Sequence, residues 1–88
     1  MSHRVLFRCV VPKGTGWTSA CRHEVDGQLA AVPASLQIEQ FDGTSEFYLI
    51  RYDADHQEIT DTLHGSVHQA MEQAEFELGI TSARWEET

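Results

Sequence analysis

Positive charge is scarce in this chain. Six lysine and arginine residues face fourteen aspartate and glutamate residues over 88 positions, a formal charge of −8. Nucleic-acid affinity depends on neutralising phosphates, so direct binding to DNA or RNA is not expected, and an anionic membrane surface repels the chain for the same reason. Long apolar runs are also lacking. Hydrophobic content is an ordinary 41%, and no stretch approaches the roughly 20 apolar residues that span a bilayer. The opening MSHRVLFRCVVPKG carries only a short apolar run, interrupted by Arg8, which does not make a secretory signal. A cytoplasmic address is therefore expected. Cysteine is limited to Cys9 and Cys21, too few for a disulfide framework. Without export, two reduced thiols are expected, with Cys9 in the core.

What is present suits one domain over residues 1–88. A chain of this size buries about 65% of its unfolded surface, enough to fold without metal or disulfide staples. The acidity has two readings: a solubility device, or attraction for a basic partner.

RVLFRCVV (4–11) is rich in β-branched and aromatic residues and ends at Pro12, which predicts a strand with Val5, Phe7, Cys9 and Val11 on one side. Residues 12–34 are punctuated by Pro12, Gly14, Gly16, Gly27 and Pro33, and a short strand over 20–25 is an option there. SLQIEQF (35–41), EFYLIRY (46–52) and EITDTLH (58–64) are joined by the turns DGTS and DADHQ. Together they predict an antiparallel meander. The resulting expectation is an α+β fold, a sheet of three or four antiparallel strands with one C-terminal helix on one face.

That helix is specified at both ends. Ser66 followed by Gln69 fits a capping box, Gly79 fits the left-handed position after the last turn, and Ile80 follows it. Between them Val67, Ala70, Met71, Ala74 and Leu78 make one apolar stripe over 67–78. With Ser66 as N-cap, His64 lies outside the helix and does not stack four residues below His68, so this pair is not expected to hold a metal. Phe76 falls opposite the stripe among Gln69, Glu72 and Gln73. It either curls under the helix end to meet Trp85 or is an exposed anchor for a partner.

FYLIRYDADHQEITDTLH, AMEQAEFELGI and RWEET together resemble a family of small, uncharacterised bacterial proteins. Its C-terminal half has a Tyr-rich strand, a tight turn, DTWH, an alanine-rich helix with QAEFE, then Gly and a final Trp. The resemblance covers residues 47–86, with Leu63 in place of the Trp and His56 in place of the turn Gly. It implies a bacterial origin and a stand-alone domain, and it lends no catalytic or binding residue.

Several local clusters fall short of chemistry. CRHE (21–24) holds a thiol, an imidazole and a carboxylate, but on a strand Glu24 points away from Cys21 and His23. Cys9, Cys21 and His23 with His3 match no metal-ligand spacing. PKGTGW lacks the phosphate-loop pattern, and DADHQE lacks the glycine of a calcium loop. No catalytic, cofactor-binding or metal-ligating residue is assigned, no cofactor is expected, and the chain reads as non-enzymatic.

One surface is left over. Phe47 and Leu49 lie on one side of the central strand, with Tyr48, Ile50 and Tyr52 on the other. A sheet with one solvated face alternates apolar with polar residues, and this one does not. One helix covers one face, so the second must be hidden by residues 12–34, by the tail at Trp85, or by another molecule. The leading expectation is an interaction surface of Tyr48, Ile50, Tyr52, Phe76 and Trp85, serving a homodimer or a protein partner. One alternative is an acidic inhibitor or immunity-type protein that offers Asp61, Glu72, Glu75 and Glu77 to a basic target. Another is a small-ligand pocket near Cys21 and His23.

Overall fold

A computed structural model describes residues 3–18, 24–25, 28–29 and 31–88. The strands are β1 (His3–Val10), β2 (Glu24–Val25), β3 (Gln28–Leu29), β4 (Ser35–Phe41), β5 (Phe47–Tyr52), β6 (Glu58–His64) and β7 (Glu86–Glu87), with one helix, α1 (Val67–Leu78), before β7. β1, β4, β5, β6 and β7 form a five-stranded sheet in the order β6-β5-β4-β1-β7, antiparallel throughout. β2 and β3 pair with each other as a separate two-stranded sheet. The architecture is thus the expected α+β fold, with a two-residue fifth strand added by the tail. Of the optional strand over 20–25, only Glu24 and Val25 are among the described residues.

The helix occupies its expected span. Ser66 has extended backbone angles, and its hydroxyl accepts from the Gln69 amide at 3.1 Å. The Gln69 side chain reaches back to the Gly65 amide at 3.0 Å. Gly79 closes the helix at φ 72°, and its amide donates to the Glu75 carbonyl at 2.8 Å. A side chain at that φ is strained, which is why glycine suits the position. Ser66→Ala leaves one helix-end amide without its acceptor and should destabilise the protein by about 1 kcal/mol. Urea unfolding should show a lower midpoint at an unchanged slope.

α1 lies over β5 and β6. Ala70 and Ala74 are fully buried, and their small side chains let the helix approach Leu36, Ile38 and Leu49 on the sheet. Beyond the helix, Val11, Ile80 and Trp85 complete the same core, with Trp17 and Val32 packed against it. Thr18 ties this segment to the last helical turn: its amide donates to the Glu77 carbonyl at 2.7 Å and its hydroxyl to the Phe76 carbonyl at 2.5 Å.

Two bulges interrupt the alternation. Val5 pairs with Glu39 but Phe7 with Ile38, which leaves Leu6 extra; Arg51 pairs with Thr60 but Tyr52 with Glu58, which leaves Ile59 extra. An inserted residue reverses the sides of everything beyond it. Phe7 and Cys9 therefore face the helix, whereas Val5, expected beside them, shares the opposite face with Glu39. No described helix is long and apolar enough to cross a membrane.

Candidate functional site

The two faces of the sheet differ in what they hold. Beneath the helix sits an ion pair. Arg51 and Glu77 have side chains only 1% and 2% exposed, joined by two bonds: Nε to Oε1 at 2.9 Å and Nη2 to Oε2 at 2.7 Å. Gln73 donates to Glu77 Oε2 at 2.6 Å, and Arg51 Nη2 also donates to Thr62 Oγ1 at 3.3 Å. This fork-to-fork arrangement satisfies both charges inside the core. It pins α1 to β5 at one rotation. Burial removes Glu77 from the acidic surface expected of it, whereas Glu72, Glu75 and Asp61 are exposed.

The network ends at His64, whose Nε2 lies 2.8 Å from Thr62 Oγ1. Arg51 donates to that oxygen, so the hydroxyl proton is free to be donated onward to a neutral imidazole. Burial first, then the Arg51 charge, hold His64 below its ordinary value, opposed by Glu77. The folded state thus binds this proton less readily than the unfolded chain. The associated stability is complete above the unfolded value of 6.5 and is lost as pH falls from there towards the lower folded value. Urea midpoints measured downward from pH ~6.5 should fall in the wild type, and His64→Gln should flatten that part of the profile.

The second face is built from side chains that lie along the sheet. Tyr52 reaches across β4 to donate to Glu39 Oε2 at 2.8 Å, and His3 Nε2 lies 3.2 Å from Glu39 Oε1. Burial and the adjoining Glu39 carboxylate push the Tyr52 phenol far above its ordinary range. Phe41 meets Tyr48 edge-on at 5.0 Å, and His56, at φ 59°, stacks on Tyr52 at 4.2 Å. Together they shield Ile50, Gln37 and Glu39 in the middle. The flanks stay open: Val10 on β1 is 75% exposed and Leu63 on β6 is 50% exposed. A groove lined by Arg8, Val10, Ser35 and His56, among others, opens on the β1 side. α1 packs on the opposite side of the sheet, over β5 and β6.

Three of the five expected surface residues, Tyr48, Ile50 and Tyr52, share this face. Phe76 is 51% exposed on the outer side of α1, and Trp85 is in the core at 9%. Phe76 therefore remains outside while Trp85 is enclosed. Arg8, Val10, Asp61 and Leu63 belong to the second face and are recognisable only once register is known.

Other candidates do not assemble. Cys9 is 2% exposed, and burial pushes its thiol up, away from nucleophilic use. His3 sits on the opposite face of β1 from Cys9. Cys21 and His23 lie outside the described residues. Among the described residues no three His, Cys, Asp or Glu side chains gather to hold a metal. DADHQE is closed by Asp53, whose Oδ1 accepts from the Asp55 and Gln57 amides, both at 2.9 Å. Comparison with family models, curated proteins and solved structures finds no match to the chain.

Proposed function

We propose that this protein is a small, non-enzymatic interaction domain that meets another polypeptide chain through the second face of its sheet. The observation that carries this reading is the pair of exposed aliphatic side chains, Val10 and Leu63, flanking the partly shielded aromatics Phe41, Tyr48 and Tyr52. The groove beside them opens on the same face, between the exposed Arg8, Val10 and His56 side chains. The buried ion pair, 1% and 2% exposed, is out of reach of a substrate and acts as a structural fastener.

The reading requires the face to be accessible in an isolated chain. At submicromolar protein, a neutral polarity-sensitive dye should brighten on the wild type. It should brighten much less on a Val10→Ser/Leu63→Ser variant with unchanged circular dichroism. Equal dye response from both proteins would contradict the proposal.

A further inference from the structure

We infer that the partner is a second copy of this chain, related by a two-fold axis that runs parallel to the strands between β4 and β5. This rests on the proposed working surface and assigns its occupant.

The inference follows from sheet register. Three rows cross the second face. Val5, Glu39, Tyr48 and Leu63 are consecutive partners across β1, β4, β5 and β6; so are Arg8, Gln37, Ile50 and Asp61; so are Val10, Ser35, Tyr52 and Glu58. A two-fold axis along the strands keeps each row at its own height and reverses its order. β1 of one copy then covers β6 of the other, and β4 covers β5.

The exposed ends of the rows match under this reversal. Arg8 meets the partner's Asp61, while Gln37 and Ile50, shielded within each chain, lie beneath the contact. Val5 meets the partner's Leu63, aliphatic against aliphatic. Val10 brings its exposed side chain over the aliphatic stem of the partner's Glu58. The charge pair occurs twice by symmetry, as an isologous interface requires. Aligned sheets cross at about 30°, which offsets the outer strands by a few ångströms, within reach of an arginine side chain.

The charge distribution independently favours self-association over a basic partner. In a chain of net charge −8, the middle of this face is occupied by Gln37, Ser35, Ile50 and aromatic rings. Its carboxylates are either engaged, as Glu39 is by Tyr52 and His3, or lie at its two rims, Glu86 beside Arg8 on β7 and the others on β6. There Glu58 is held above the usual carboxylate range by burial and then by Asp61. An arginine from the opposing copy relieves that repulsion. Among the described residues Arg8 makes no ion pair of its own, so it is available for this contact.

Four strands about 4.8 Å apart and seven residues of about 3.3 Å give a face of roughly 19 by 23 Å, about 440 Å² per copy, below the roughly 1,200 Å² in total that stable interfaces bury and in the range of weak, transient contacts. The dimer should therefore be reversible and concentration-dependent.

Sedimentation equilibrium from micromolar to millimolar protein tests it, at ~0.15 M salt, where a Debye length of about 8 Å screens the like net charges but not pairs in contact. The wild type should dimerise. Arg8→Asp or Asp61→Arg alone should weaken dimerisation by ~10-fold or more, and the double swap Arg8→Asp/Asp61→Arg should restore most of it. Both positions are exposed, and unchanged melting temperatures establish that the variants fold. A strict monomer throughout overturns the second copy as partner while the dye result still judges the face. A dimer in which the swap rescues nothing overturns the two-fold geometry. A dimer indifferent to Val10→Ser/Leu63→Ser overturns both the geometry and the proposed working surface.

Discussion

Glu77→Gln should destabilise the protein by about 3–5 kcal/mol, because it strands the Arg51 charge in the core. The neutral amide matches the carboxylate in shape, so the loss reports charge rather than packing. Arg51 Nε and Nη2 would keep their neighbours but lose the two charge-assisted bonds of 2.9 and 2.7 Å. The cost is not the worth of the pair. Arg51→Met combined with Glu77→Leu removes both charges at similar volume and should recover most of the lost stability. Chemical denaturation of the three proteins decides this. A single variant within about 1 kcal/mol of wild type would mean that water reaches the pair.

Trp85→Ala should cost a further large amount, about 3–5 kcal/mol, through lost burial and the cavity left behind. Trp85 is 9% exposed and packs in the core cluster with Cys9 and Ile80. Its indole Nε1 is buried and has no hydrogen-bond partner among the described residues. Trp85→Phe should therefore keep much of the stability, since it gives up ring volume without giving up a bond. Thermal melts of both variants test this. A Trp85→Ala protein as stable as wild type would return Trp85 to the surface expected from the sequence.

Much of the fold could be read before the structure, because local rules agree with one another. Ser66, Gln69, Gly79 and the alanine stripe each specify the same helix. The turns at 42–45 and 53–57 carry the meander. Two kinds of information were not local. The bulges at Leu6 and Ile59 leave no mark in composition, yet they decide that Val5 leaves the core side. Glu77 reads as one more acidic residue on a polar helix face, because its partner Arg51 lies 26 positions away. An arginine among Leu49, Ile50 and Tyr52 on a central strand was the available hint that an acid had to be buried opposite it.

The site was legible in part for the same reason. Tyr48, Ile50 and Tyr52 announce a two-sided strand by themselves. Arg8 and Asp61 lie on separate strands, and their common row exists only through the pairings Arg8–Gln37, Gln37–Ile50 and Ile50–Asp61. Phe76 and Trp85 looked alike in sequence. The last helical turn holds one outside, and the tail strand beside β1 draws the other in.

Self-association through the second sheet face differs from contact through the helix in which side chains change surroundings. Methyl and aromatic NMR spectra recorded over a concentration series read this directly. Signals of Val5, Val10, Leu63 and Tyr48 should shift or broaden together as protein is added, while Phe76 on the outer helix surface stays fixed. Movement confined to Phe76 and its helix neighbours, with the sheet signals unchanged, would contradict it.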